Sequence, residues 1–178
     1  MRTLVLGGIR SGKSRWAEAA IAESVAADQP VCYVATGSPI DGDEDWSRRV
    51  AEHRRRRPAH WSTVETGDIA TQLRQSPGTP TLVDDVGGWL AATLDRERAW
   101  DAGSVAVDVE EVIAAVRAFH GPLVLVSPEV GLTVVPATAS GRRFADELGA
   151  LNQRLAALCE RVVLVVAGQP VPIKVATR

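Results

Sequence analysis

Cysteine, aromatic side chains and unbalanced charge are all in short supply in this chain of 178 residues. Its two cysteines, Cys32 and Cys159, stand among apolar neighbours with no CxxC pairing and no adjacent histidine. Neither a disulfide scaffold nor a zinc site is expected, and both read as small buried hydrophobes in a reducing compartment. Aromatics make up only 4%, too few for the stacking platforms that hold single-stranded nucleic acid. Lys and Arg number 20 against 22 Asp and Glu, for a formal net charge of −2. That balance lacks the basic excess of a domain whose main work is coating nucleic acid. No apolar run approaches the roughly 18 residues of a membrane span, and the first residues run straight into a short apolar strand. The expected setting is the cytoplasm.

What is present is an ordinary globular composition, 46% hydrophobic and 24% charged. At this length a fold hides roughly 70% of the surface its unfolded chain exposes, so no covalent staple is needed. Short β-rich apolar runs at 3–6, 31–35, 81–84, 123–127 and 162–167 alternate with helical patterns at 13–27, 43–56, 107–120 and 141–159. Strands buried on both faces and separated by helices predict an α/β fold: a mostly parallel sheet flanked by helices. Residues 61–65 are a further candidate strand, and 171–175 can pair with 162–167 as a short C-terminal hairpin through Gly168-Gln169-Pro170. Residues 95–106 read either as a helix end with a turn or as a loop. No repeat or linker interrupts the pattern, so residues 1–178 are expected to form one domain.

The sequence Gly7-Gly8-Ile9-Arg10-Ser11-Gly12-Lys13-Ser14 follows the first strand and opens the first helix. It satisfies GxxxxGK[ST] in the context a Walker A loop requires, which makes the fold P-loop NTPase-like. Its glycines let successive backbone N–H groups turn toward phosphate oxygens, the helix start adds positive dipole, Lys13 reaches the outer phosphates and Ser14 can ligate Mg²⁺. A matching acid should end a buried strand. Asp84 and Asp85 both stand there; metal duty is assigned to Asp84, and capping of the next helix to Asp85.

The run Asp43-Glu44-Asp45 to Arg54-Arg55-Arg56-Arg57-Pro58 is acidic at its start and basic at its end, as a helix macrodipole favours. One reading is a solvated helix end. The other notes that His53 sits inside a cationic cluster that opposes its protonation. A neutral imidazole among phosphate-binding guanidiniums can attack a nucleotide phosphorus and form a phosphoramidate. Glu129, in a glycine-flanked loop after the strand at 123–127, reads either as a substrate ligand or as part of a surface turn.

Several of these stretches combine with Tyr33-Val34-Ala35-Thr36, Arg57-Pro58-Ala59-His60-Trp61, Glu129-Val130-Gly131, Val135-Pro136 and Leu151-Asn152-Gln153-Arg154. Together, over nearly the whole chain, they resemble the bifunctional adenosylcobinamide kinase/adenosylcobinamide-phosphate guanylyltransferase family of cobalamin assembly. The resemblance implies that His53 is the histidine that becomes guanylylated, and that His60 is structural. It places GTP contacts on Ala35, Thr36, Gly37, Arg54, Arg55, Arg56, Arg57 and Glu65, and the acidic strand-end role on Asp84. It implies Mg²⁺, ATP and GTP as nucleotides, adenosylcobinamide as the corrinoid acceptor, and a homotrimer. The chain departs from the family pattern at Asp85-Val86-Gly87-Gly88, Pro128 and Thr133, in loops that are candidates for corrinoid contact. Two other readings compete: a P-loop kinase for another small metabolite, and a nucleotide-binding switch. The switch lacks a guanine-reading Asn-Lys-x-Asp.

Overall fold

The computed structural model describes residues 1–36 and 57–175. The expected helix at 43–56 therefore lies outside the described residues. The strands are β1 (Arg2–Gly7), β2 (Cys32–Ala35), β3 (Ser62–Glu65), β4 (Thr81–Asp84), β5 (Leu123–Pro128), β6 (Arg161–Val166) and β7 (Gln169–Lys174). Between them run α1 (Lys13–Glu23), α2 (Ile69–Gln75), α3 (Val86–Arg96), α4 (Ala106–Ala118) and α5 (Ala139–Leu158). One seven-stranded sheet has the order β3-β2-β4-β5-β1-β6-β7. Strands β1 to β6 are parallel and β7 returns antiparallel to β6. The α/β architecture expected from the alternating pattern is thus the one observed.

Side-chain alternation sends the apolar residues of β1, β2, β4, β5 and β6 to two cores. On one face Leu4, Val34, Val83, Leu125 and Val162 meet α2 to α5 through Leu73, Leu90, Ile113, Leu148 and Leu155. On the other, Val5, Tyr33, Leu82, Val126 and Val165 meet Ala17 and Ile21 of α1. In α5 the buried positions Leu148, Leu151, Asn152 and Leu155 follow helical spacing, which sets that helix's inner face. Each fully buried Leu or Val contributes about 1.5–3 kcal/mol relative to exposure. Both cysteines are free and buried, and burial pushes the Cys159 thiol up to about 12.

Three local features differ from the sequence reading. First, α1 stops at Glu23, four residues short of the expected end, because the Ser24 hydroxyl and amide both donate to the Ile21 carbonyl. Second, α2 is absent from the sequence reading, and α3 enters it only as the helix that Asp85 caps, without a range. Asp68 and Asp85 start them by accepting amides of Thr71 and Gly87, and Gly87-Gly88 hides the helical propensity of α3. The ambiguous stretch resolves into the end of α3, turns carrying Arg98 at φ 51° and Gly103 at φ 96°, and the start of α4. Third, the hairpin turn is Ala167-Gly168, at φ 50° and 77°. Positive φ at both central residues marks the turn whose twist matches paired strands. Gln169 and Pro170 are consequently in register with Val166 and Val165.

Candidate nucleotide-binding site

The expected phosphate loop leaves β1 at the carboxyl edge of the sheet and enters α1 at Lys13. Gly12 precedes the helix at φ 91°, a left-handed conformation that a side chain resists. A Cβ there would also lie 3.2 Å from the Gly168 backbone, because the β6–β7 turn closes on the loop. The Gly168 amide donates to the Ser11 carbonyl at 2.8 Å, and the Glu129 amide donates to the Gly7 carbonyl at 3.1 Å. Two neighbouring strands thereby brace the loop. No side chain caps α1, and its first turn carries no acid. Its first amides and dipole are left for an anion.

Lys13 donates from Nζ to the Gly8 carbonyl at 3.3 Å on the exposed side of the loop. The next helical residue, Ser14, donates from Oγ to Asp84 Oδ1 at 3.3 Å. The other carboxylate oxygen, Oδ2, accepts from the Tyr33 hydroxyl at 2.5 Å. The Arg57 guanidinium lies 3.3 Å over the Tyr33 ring, and its Nη1 donates to Thr63 Oγ1 at 3.0 Å. The Arg57 Nε is buried with no hydrogen-bond partner among the described residues. Burial, and then the Asp84 charge, push the Tyr33 phenol above its ordinary value, so it serves as a neutral donor.

Asp85 turns away from this group to accept the Gly87 amide at 2.8 Å as the cap of α3. Burial, and then the charge of Asp84, push its carboxyl above the usual range. Thr36 is buried, and its hydroxyl accepts the Asp85 amide at 2.9 Å while donating to the Asp85 carbonyl. That hydroxyl fixes the strand-end backbone. Ala35 stands beside both Asp84 and Glu65 in strand register. Gly37, His53, Arg54, Arg55 and Arg56 lie outside the described residues. Ile9 and Gly8 are exposed at the loop, with Ile9 at 90%.

Ser14 Oγ and Asp84 Oδ1 are hard oxygen donors 3.3 Å apart. Adjacent ligands of an octahedral ion with bonds of about 2.0–2.1 Å stand about 2.9 Å apart, so the pair suits a small hard cation. Such an ion beside a nucleotide completes its shell with water and phosphate oxygens. Among the described residues no group of three or more His, Cys, Asp and Glu converges into an all-protein metal cage.

On the α5 side of the same sheet edge lies a groove of about 480 Å³. Leu6, Glu129, Val134, Arg142, Asn152 and Ile173 line it. Asn152 is buried and holds its floor, accepting from Ser127 Oγ at 2.6 Å and donating to the Pro128 carbonyl at 2.9 Å. Glu129 curls back to accept the Gly131 amide at 2.6 Å.

Residues 3–173 match the family model described as cobinamide kinase / cobinamide phosphate guanyltransferase. The chain belongs to that family. Among curated relatives, a bifunctional adenosylcobalamin biosynthesis protein CobP of Pseudomonas aeruginosa is 44% identical over 177 residues, covering 98% of each chain. The CobU protein of Escherichia coli, with the same bifunctional description, is 36% identical over 187 residues, or 98% of this chain and all of the relative. That of Salmonella typhimurium is 37% identical over 188 residues, with the same coverage. As a cobinamide kinase / cobinamide phosphate guanyltransferase, the chain is a transferase of cobalamin biosynthesis. The fold and enzyme class expected from the sequence agree with this membership, and among the described residues no helix is long and apolar enough to cross a membrane.

Two contributors carry no assigned role in the sequence pattern. Tyr33 stands within a Tyr-Val-Ala-Thr stretch, and its signal is the placement of a polar-tipped aromatic two residues before a strand end. Asn152 was likewise a motif member without a role. A polar residue on the apolar stripe of α5 was the available clue.

Proposed function

We propose that this chain, acting as one P-loop domain over residues 1–178, phosphorylates adenosylcobinamide with ATP or GTP. It then transfers GMP from GTP to adenosylcobinamide phosphate, giving adenosylcobinamide-GDP. The observation that carries the reading is the phosphate loop itself: an uncapped α1 start, Lys13 at its mouth and Ser14 against Asp84. In the kinase step the acceptor hydroxyl attacks the γ-phosphorus, its proton passes to solvent, and the bond to the nucleoside diphosphate breaks. Loop amides and Lys13 neutralise the phosphoryl oxygens and hold them in line. Ser14 and Asp84 hold Mg²⁺, which supplies charge neutralisation at the phosphates when bound.

In the second reaction the neutral His53 imidazole forms a P–N bond to the α-phosphorus of GTP as the bond to pyrophosphate breaks. A phosphate oxygen of the corrinoid then attacks the same phosphorus, and the P–N bond breaks to restore His53. A phosphate is a weak nucleophile, and two displacements through an imidazole allow each attack to be held in line. Arg54, Arg55, Arg56 and Arg57 stabilise the developing charge. The place of the Arg57 guanidinium over the ring of Tyr33, whose hydroxyl bonds Asp84, supports that assignment for Arg57. Glu129 and its groove form the acceptor side, supported by the Glu129 amide's bond to Gly7. The setting is the cytoplasm, which two free buried cysteines suit, and the assembly a homotrimer, as the family resemblance implies.

The test is the intact mass of purified protein after incubation with GTP and Mg²⁺, beside His53→Ala. The expected result is an acid-labile, base-stable GMP adduct on the wild type and none on the variant. Absence of any adduct while GTP demonstrably binds withdraws the role of His53 and leaves a P-loop kinase.

A further inference from the structure

Tyr33 is the chain's single tyrosine. It is buried on β2, with 2% of its surface exposed, and packs on its lower side with the α1 core. Its hydroxyl emerges at the strand end, where it donates to Asp84 Oδ2 at 2.5 Å while Ser14 donates to Oδ1 at 3.3 Å. The carboxylate is held by different partners on its two oxygens, and the rigid ring fixes which oxygen faces the loop. Above the ring sits Arg57, 3.3 Å from its centroid. A cation over the ring face withdraws density from the phenol and strengthens it as a donor.

We infer that Tyr33 is a positioning residue: its hydroxyl sets the Asp84 carboxylate for a metal–nucleotide complex, and its ring is the shelf that carries Arg57. The inference rests on the proposed nucleotide role of Ser14 and Asp84. Groups that orient a metal-binding side chain typically govern metal affinity by about 10–100-fold. Tyr33 acts without touching the nucleotide, through Asp84 on one side and Arg57 on the other.

The two functions separate by substitution. Tyr33→Phe keeps the ring under Arg57 and removes only the donor; Tyr33→Leu removes both. GTP binding is measured by calorimetry across a Mg²⁺ series for wild type and both variants, with thermal unfolding alongside. In the wild type, GTP affinity rises with Mg²⁺. In Tyr33→Phe the half-saturating Mg²⁺ rises about tenfold, while GTP affinity at saturating Mg²⁺ stays within about twofold. In Tyr33→Leu both worsen. Metal-dependent binding in the wild type with an unchanged Mg²⁺ requirement in Tyr33→Phe overturns the Tyr33 role alone. Metal-independent binding in the wild type overturns the Ser14–Asp84 reading and this inference with it.

A second readout leaves the protein unmutated. Tyrosine labelled with ¹³C at Cζ gives one resonance, since the chain has one tyrosine. A cation at Asp84 draws charge from the carboxylate and weakens the phenol's bond, so that resonance shifts with GTP plus Mg²⁺ and not with GTP plus chelator. An unmoved resonance in GTP-saturated protein with Mg²⁺ overturns the proposal.

Discussion

Replacing Asn152 with leucine gives a quantitative test of how the loop that carries Glu129 is held. Asn152 is 6% exposed on the inner face of α5, and Ser127 beneath it is fully buried. Its Oδ1 accepts the Ser127 hydroxyl at 2.6 Å and its Nδ2 donates to the Pro128 carbonyl at 2.9 Å. Leucine is of similar size, so the packing term is small, but both partners lose their bonds. Each buried group left unsatisfied costs about 1–3 kcal/mol, with the hydroxyl at the upper end because no water reaches it. The leucine side chain returns about 1 kcal/mol of apolar burial. The expected net loss is about 2–4 kcal/mol, which for a chain of this size lowers Tm by about 5–15 °C.

Urea unfolding of Asn152→Leu, Ser127→Ala and the double variant measures the loss and its origin. Removing the Ser127 hydroxyl as well relieves one orphaned group, so the double variant should be more stable than the two single losses predict, by about 1–2 kcal/mol. A loss under about 0.5 kcal/mol for Asn152→Leu, or strict additivity in the double variant, refutes the account.

Two further expectations concern charge. Because burial and Asp84 raise the Asp85 carboxyl, its ionised form opposes folding above the raised value, and that cost disappears below the unfolded value. Asparagine caps helices as well as aspartate, so Asp85→Asn should raise Tm at pH 7, with an effect that shrinks as pH falls from the raised value toward the unfolded one; a lower Tm at pH 7 contradicts this. Partial burial works against ionisation of Glu160, but Arg2 outweighs it through its side chain and amide, bringing the carboxyl down to about 2. The stabilisation is present above the unfolded value and is lost as pH falls through 2. Since the pair is partly solvated, Glu160→Gln should cost about 1 kcal/mol at pH 7 and progressively less from pH 4.5 downward, as thermal unfolding across pH will show.

Much of the site was legible because its chemistry is local. The loop from Gly7 to Ser14 is a contiguous run whose backbone geometry follows from its own glycines, between an apolar strand and a helix. The strand-end position of Asp84 followed from the apolar run before it. The extent of α3 shows the limit of such reasoning: Asp85 marks its start, but its two glycines weaken the local helical signal, while burial of Val86, Trp89, Leu90 and Leu94 stabilises the helix from outside. The hairpin was anticipated, but its turn lay one step earlier, because strand pairing and twist selected Ala167-Gly168.

The amino-acid sequence by itself determined the α/β class, the phosphate loop and the family, since each is written in contiguous residues or their period. Only the tertiary structure decided that β5 separates β1 from β4, and that Ser14 and Tyr33 meet Asp84 across 70 and 51 residues of chain. It also gave the Thr36 hydroxyl to the Asp85 backbone, and Asn152 to the loop that carries Glu129. These contacts depend on which strands become neighbours. That choice is made by the packing of all the helices and strands at once, and no local pattern encodes it.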